Sequence, residues 1–198
     1  MVGGAHMKYL FILGMSGSGK TTLAENIQNF YPKKFKKAIQ TTTREPRPTE
    51  QNGREYYFIS DEVYDNLDKN EQLFGRVQKE LLPARYGTNY DQLDSRKTNI
   101  IVLSIEGFID AFFKIKKRDK LTVLFISDVQ PEVARENRNT SAEETYIKSV
   151  LHPFKRAEKR KGFRGIHKFN LLEIPHEELK EFRNNKKELA KFLKKNKI

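Results

Sequence analysis

The segment from Gly14 to Thr21 reads GMSGSGKT, and its residue types suit the binding of phosphate groups. It matches the pattern G-x-x-x-x-G-K-[ST] in full. Glycines let the backbone turn tightly, so that successive N–H groups and the positive end of the following helix face an anion. Lys20 is expected to reach the β- and γ-phosphates of a nucleoside triphosphate, and the Thr21 hydroxyl to ligate Mg²⁺ bound with it. The residues predicted to bind this triphosphate are Gly14, Ser16, Gly17, Ser18, Gly19, Lys20, Thr21 and Thr22.

A pair of arginines three residues apart is the second candidate for phosphate chemistry. Pro46 and Pro48 stiffen the chain around Arg44 and Arg47, so that two guanidinium groups can point at one dianion. Tyr56 adds a hydroxyl donor and an aromatic wall. The alternative interpretation is an ordinary solvated loop.

The elements around these residues are predicted from apolar runs and helical spacing. A buried strand ending at Gly14, a helix after the glycine-rich loop and further strands alternating with helices are typical of a parallel sheet. We therefore predict an α/β fold, a P-loop NTPase-type parallel sheet covered by helices on both faces. The predicted strands are Tyr9–Leu13, Ile100–Leu103, Leu121–Ile126 and Lys168–Leu172; the predicted helices are Thr22–Phe30, Phe108–Lys117 and one long helix after Pro175 that carries Leu179, Phe182, Leu189 and Leu193 on one face. Phe108, Phe112 and Phe113 are interpreted as core residues.

Two polar, turn-rich segments interrupt the alternation and are interpreted as insertions in a single domain. The expected division is a cloning remnant or disordered start at 1–7, then one domain at 8–198 with its core at 8–39, 92–127 and 150–198, an inserted acceptor-binding subdomain at 40–91 and a lid at 128–149.

Composition excludes several classes of function. The chain has 198 residues and no cysteine, so a disulfide scaffold, a cysteine nucleophile and a thiolate zinc site are excluded. The four histidines are not spaced as metal ligands, and no metal other than nucleotide-bound Mg²⁺ is expected. No apolar run approaches the roughly 20 residues that span a bilayer, so we expect a cytoplasmic protein without a membrane partner.

The net charge of +12 comes from two basic stretches, Lys155–Lys168 and Arg183–Ile198. We interpret them as solvated helix faces, because lysines outnumber arginines in the terminal stretch and few aromatic residues lie among them. A polyanion-binding patch is the alternative, and nucleic-acid binding is not expected.

The arginine pair lies in a longer pattern that resembles the guanylate kinase family, T-[ST]-R-x-x-[KR]-x-x-[DE]-x-x-G-x-x-Y-x-[FY]. Its fixed positions are filled by Thr42, Thr43, Arg44, Arg47, Glu50, Gly53, Tyr56 and Phe58. Farther along, Tyr86-Gly87-Thr88 is similar to the family's Y-G-[ST]. With the glycine-rich loop, the resemblance covers Lys8 to Leu193.

The resemblance implies a phosphotransferase that converts ATP and GMP to ADP and GDP with Mg²⁺, acting as a monomer or homodimer. The GMP-binding residues that it implies are Gln40, Arg44, Arg47, Tyr56, Tyr86, Thr88 and Glu106. The catalytic residues that it implies are Lys20, Arg44, Arg135 and Arg138, of which the last two lie in the lid and close over the transferred phosphoryl group.

The chain departs from the family at the position that reads guanine. The family has a Glu about ten residues before the Gly of Y-G-[ST]. When this position is aligned from the start of a predicted helix over 71–76, it falls on Phe74 or Gly75. When it is counted back from Gly87, it falls on Val77. Glu71, Gln78 or Glu80 are the possible replacements.

Two further family residues are absent. The family's D-x-D after the central strand is replaced by Ser104-Ile105-Glu106, so the first of its two carboxylates is missing. The family also has an arginine three residues after the position of Ile147, where this chain has Val150. Lys148, Lys155 or Arg156 are the possible substitutes for that arginine. We therefore expect GMP to be the best acceptor, with weaker discrimination than the family norm. The alternatives are a kinase for another (deoxy)nucleoside monophosphate or phosphorylated metabolite, and a guanylate-kinase-like binding module with weak catalysis.

Overall fold

A five-stranded parallel sheet forms the centre of the molecule. The computed structural model describes residues 6–78, 84–116, 119–128, 140–158 and 169–198. The strands are β1 (Lys8–Gly14), β2 (Phe35–Lys37), β7 (Thr98–Val102), β8 (Lys120–Ser127) and β9 (Phe169–Pro175). Their order in the sheet is β2-β7-β1-β8-β9, with β1 in the middle. The three longest apolar runs form β1, β7 and β8 as predicted, and the short edge strand β2 gave no sequence signal.

Helices cover both faces of this sheet, which confirms the predicted fold class. They are α1 (Lys20–Phe30), α3 (Ile105–Lys114), α4 (Thr140–Glu158), α5 (His176–Phe182) and α6 (Lys186–Lys195), whereas α2 (Asp61–Lys69) belongs to the inserted segment. On one face Phe11 of β1 packs in a cluster with Phe108 of α3 and Leu151 of α4. On the other face Leu10 and Ile12 of β1 pack with residues of α1, α5 and α6. Because successive side chains of a strand point to opposite faces, β1 is apolar throughout.

A second, smaller sheet is built by the inserted segment. Its order is β4-β3-β6-β5, from β3 (Thr41–Thr42), β4 (Tyr57–Phe58), β5 (Leu73–Gln78) and β6 (Arg85–Asn89). Arg76 joins this sheet to α3, because its backbone N–H and its guanidinium both donate to Asp110, at 2.9 Å and 3.0 Å. The same guanidinium donates to Asp68 of α2 at 2.6 Å. Lys114 of α3 also donates, from its Nζ to the carbonyl oxygen of Leu73 at 3.0 Å, so two basic side chains bond the inserted sheet to this helix.

Three local predictions were wrong. Residues 71–76 form a turn and the start of β5 rather than a helix, because Leu73 and Phe74 pair with β6 and are buried. The single C-terminal helix is two helices, and the second begins where the Asn185 side chain accepts from the backbone N–H groups of Lys187 and Glu188. Phe113 is 68% exposed rather than in the core.

The two ends of the described chain bear on the predicted disordered start and on the predicted basic helix face. Met7 donates its backbone N–H to Asp119 at 3.0 Å and packs against the core, so it belongs to the folded domain. The lysines of α6 are exposed, while Leu189 and Leu193 on the same helix are buried. Within the described residues, none of the helices is both long and apolar enough to cross a bilayer.

The phenylalanines of α3 allow a matched test of the core. Phe108 is fully buried between two other aromatic rings, those of Phe11 and Phe112. We expect Phe108→Ala to lower the free energy of unfolding by about 3–5 kcal/mol, because it leaves a cavity. Phe113→Ala, on the same helix but exposed, is expected to cost less than about 1 kcal/mol. Urea denaturation of both variants measures this, and equal losses would contradict the placement of the core.

Candidate active site

The glycine-rich loop connects β1 directly to α1. Gly17 and Gly19 have φ of 85° and 86°, a left-handed conformation that favours glycine, and α1 begins at the next residue, Lys20. Gly14 lies so close to β8 that a Cβ built on it would be 3.0 Å from the carbonyl oxygen of Ile126. The loop therefore lies against the carboxyl edge of the sheet, with the positive end of α1 facing the loop.

Lys20 folds back into this loop. Its Nζ donates to the carbonyl oxygen of Gly14 at 2.8 Å and to that of Met15 at 2.5 Å. The ammonium charge is thus held among the backbone groups that the motif assigns to phosphate binding. Ser18 is fully buried and faces away from solvent, so its contribution to a ligand is its backbone.

Two cavities adjoin the loop and form one cleft. The smaller has a volume of about 280 Å³ and the larger about 540 Å³. Ser16, Lys20, Gln40, Tyr56 and Val102 line both of them. The larger cavity also contacts Gly17, Gly19, Thr21, Thr22, Arg47 and Glu50. The smaller cavity also contacts Gly14, Val77, Tyr86 and Glu106. The phosphate-binding loop thus shares these cavities with five of the predicted acceptor residues, Gln40, Arg47, Tyr56, Tyr86 and Glu106, whereas the predicted Arg44 lines neither cavity.

Glu50 organises the arginine pair. The Nη2 of Arg44 donates to Glu50 Oε1 at 3.0 Å, and the backbone N–H of Arg47 donates to Oε2 at 2.8 Å. The pKa of Glu50 is lowered, mainly by the hydrogen bond from Arg44, and the pKa of Arg44 is raised mainly by the same bond. A carboxyl whose pKa is lowered by folding stabilises the native loop at neutral pH and loses this contribution as the pH falls through the lowered pKa. The loop geometry is therefore set before any ligand binds.

Aromatic rings complete the wall beside the arginines. The Arg44 guanidinium lies 5.5 Å from the ring centroid of Tyr56 and 5.6 Å from that of Phe58. The rings of Tyr56 and Tyr86 are 5.8 Å apart, and burial raises the pKa of Tyr56, so its hydroxyl stays protonated and can donate. Tyr86 is held by its carbonyl oxygen, which accepts from the Tyr64 hydroxyl at 2.9 Å.

Glu106 lies in the first turn of α3 and lines the smaller cavity. The preceding Ser104 caps this helix, because its hydroxyl accepts from the backbone N–H of Gly107 at 3.3 Å. Ser104, at the first carboxylate position of the family's D-x-D, therefore starts the helix that carries the second carboxylate. Gln40 reaches both cavities.

Some predicted residues lie away from the cleft. Thr88 is fully buried, and its hydroxyl has no hydrogen-bond partner in the described part of the chain. Phe74 stacks on Tyr90 with centroids 4.8 Å apart and belongs to the core, so it does not face a base. Glu71 and Gln78, two of the possible guanine readers, are exposed and line neither cavity.

Other predicted site residues lie outside the cleft or outside the described ranges. Arg135, Arg138 and Glu80 lie outside the residues that the structure describes. Lys148, a suggested substitute for the missing arginine, is paired with Glu144 at 2.7 Å and Glu173 at 3.4 Å and lines neither cavity.

Sequence reasoning missed the contribution of α4. Glu143, Tyr146 and Ile147 line the smaller cavity, although the sequence predicts only that their segment belongs to the lid. Their spacing, i, i+3 and i+4, is that of one helix face, which is the signal that was available. Lys37, of the unpredicted strand β2, lines the larger cavity.

Comparisons with known proteins agree with this geometry. A profile of the family described as "Guanylate kinase" matches residues 6–186. A protein named guanylate kinase from Chlamydia muridarum (strain MoPn / Nigg) is 33% identical over 141 residues, 67% of this chain and 64% of that protein. One from Chlamydia caviae is 31% identical over 142 residues, 69% of this chain and 67% of that protein. The match thus spans about two thirds of each relative's length.

The fold is shared with solved structures. A crystal structure of guanylate kinase from Anaplasma phagocytophilum aligns with a TM-score of 0.60 at 16% identity, covering 95% of this chain and 86% of that chain. With a family profile that matches residues 6–186, this chain belongs to the guanylate kinase family.

Proposed function

We propose that this protein transfers the γ-phosphoryl group of ATP to GMP, releasing ADP and GDP. The observation that carries the proposal is the single cleft in which the phosphate-binding loop and Arg47 line the same cavity. A donor and an acceptor phosphate bound at these two places would be adjacent, which is what direct transfer requires. Guanine is the proposed acceptor base because the relatives to which this chain is similar are named guanylate kinases.

The transfer needs no protein nucleophile. An oxygen of the GMP phosphate attacks the γ-phosphorus, the bond to the β,γ-bridging oxygen breaks, and its electron pair leaves with ADP. Such a reaction is promoted by alignment and by neutralisation of charge. Lys20 and the N–H groups of the loop would hold the β- and γ-phosphates, and Arg44, Arg47, Tyr56 and Tyr86 would hold the acceptor phosphate.

The residues present also fit Mg²⁺ bound with ATP. The Thr21 hydroxyl lies on the second residue of α1 and lines the larger cavity, where it is an oxygen donor of the kind that Mg²⁺ prefers. The ion would neutralise charge on the β- and γ-phosphate oxygens.

Arg135 and Arg138, outside the described residues, are proposed to neutralise the charge that develops on the transferred group. Closure of this segment over the cleft would exclude water and so prevent hydrolysis of ATP. A non-catalytic binding module is not favoured, because such a module has no use for a complete triphosphate-binding loop.

A kinase for another nucleoside monophosphate is the second candidate. It is favoured by the β5 side of the smaller cavity, which contributes Val77 and no carboxylate. An assay of ADP release with GMP, dGMP, AMP, CMP, UMP and dTMP distinguishes the two. We expect the highest kcat/KM with GMP; a higher value with a base other than guanine would support the second candidate.

Lys20→Ala tests the donor site. We expect phosphoryl transfer to fall below detection while the fold is retained, because the ammonium group that neutralises the phosphates is lost. The matched control is Lys33→Ala, an exposed lysine just after α1, which should leave kcat unchanged. Equal turnover in Lys20→Ala and the parent protein would contradict the assignment of the loop.

Arg47→Ala tests the acceptor site. A charge-assisted hydrogen bond to phosphate is worth about 1.5–3 kcal/mol, so the KM for GMP should rise about tenfold or more. The KM for ATP should change by less than about twofold, because the loop is intact. Arg54→Ala is the control, since Arg54 lies on the same segment but is paired with Glu55 and lines neither cavity of the cleft. A rise confined to the KM for ATP would place Arg47 on the other substrate.

A further inference from the structure

The smaller cavity has charged residues of both signs in its lining. Its charged residues within the described chain are Lys20, Glu106 and Glu143. Lys20 belongs to the phosphate-binding loop, whereas Glu106 is on α3 and Glu143 is on α4. Tyr56 and Tyr86, two of the residues proposed to hold the acceptor phosphate, line the same cavity, so a nucleoside monophosphate held there would have its base toward the two carboxylates.

Within the described residues, β5 lines the cavity with no polar side chain. Val77 is the β5 residue that lines the cavity, and the side chain of Phe74 lies in the core. Gly75 has φ of 63°, and a Cβ built on it would be 2.9 Å from Leu103. No larger side chain fits at that point without displacing Leu103. The described side chains that can read the base edge therefore come from the other walls.

Helix α4 presents Glu143 to the cavity by its packing. Ile147 and Leu151, one and two turns farther along, are buried in the core cluster. The neighbouring Glu144 is turned away, because its carboxylate pairs with Lys148 at 2.7 Å and accepts from the backbone N–H of Asp128 at 3.0 Å. Of the two adjacent glutamates, Glu143 is thus the one placed toward a bound nucleotide.

The edge of guanine matches two carboxylates better than one. Guanine presents one hydrogen on N1 and two on the 2-amino nitrogen, and an ionised carboxylate only accepts hydrogen bonds. One carboxylate takes the N1 hydrogen and one amino hydrogen, which leaves the other amino hydrogen for a second acceptor. Adenine presents a lone pair at N1, which a carboxylate repels.

We propose that Glu143 is a specificity-determining residue that accepts a hydrogen bond from the 2-amino group of the acceptor guanine, while Glu106 accepts from N1. This rests on the proposed function, since it deepens the description of the same acceptor site. It also assigns a role in substrate recognition to a helix of the region that we interpret as the lid.

Steady-state kinetics with GMP and IMP test the proposal, because IMP has N1–H but lacks the 2-amino group. In Glu143→Gln we expect kcat/KM for GMP to fall about tenfold or more, mainly through KM. The value for IMP should change by less than about twofold, so that the preference for GMP over IMP is lost. In Glu106→Gln the values for both nucleotides should fall.

Glu144→Gln is the matched control on the same helix and should leave the ratio of GMP to IMP unchanged. Glu143→Asp retains the charge on a shorter side chain, and it should keep part of the preference for GMP, which tests the assignment independently of the Gln variant. An unchanged ratio in Glu143→Gln, or equal losses with GMP and IMP, would overturn the proposal. A parent protein that phosphorylates neither GMP nor IMP would instead contradict the proposed function.

Discussion

The pairing of β1 with β7 on one side and β8 on the other is the interaction on which the site depends. Gly14 pairs with Ile126 at the end of β8, and Ile12 pairs with Val102 at the end of β7. Because the three strands are parallel, their carboxyl ends lie at one edge of the sheet, and the turns that follow meet there. The phosphate-binding loop and the start of α3 are therefore adjacent.

The acceptor side is attached to this edge by a different kind of contact. The inserted sheet buries Leu73 and Phe74 against the core, and Arg76 bonds it to Asp110 of α3. Glu106 lies one helical turn before Asp110. The helix that holds the inserted sheet therefore also carries a carboxylate into the smaller cavity, so the two sides of the cleft share one rigid element.

The local part of the site could be predicted from sequence. The loop from Gly14 to Thr21 and the arginine pair are short motifs whose chemistry depends on neighbours in the chain. The strands were predicted where apolar runs are continuous. The resemblance implies that Gln40, Tyr56, Tyr86 and Glu106 bind one nucleotide, and all four line the smaller cavity. Their contacts with a nucleotide stay predictions.

The rest depends on contacts between distant segments. Residues 71–76 look helical in isolation, and they form a turn and the start of a strand because β6 pairs with the edge of β5 and α3 packs against it. Thr88 matches a family motif but is turned inward by the same sheet. The spacing of Glu143 and Ile147 places them on one face of a helix, but that this face lines the cavity depends on the packing of Ile147 and Leu151 in the core cluster.

The central claim is that one continuous cleft holds the donor and acceptor phosphates together. Calorimetric binding of adenosine and guanosine joined at their 5′ oxygens by five phosphates tests it most directly, because this molecule must occupy both halves at once. We predict one molecule bound per chain, far more tightly than ATP or GMP alone, and weaker binding in both Lys20→Ala and Arg47→Ala. Binding no tighter than that of ATP, or two molecules per chain, would contradict the claim.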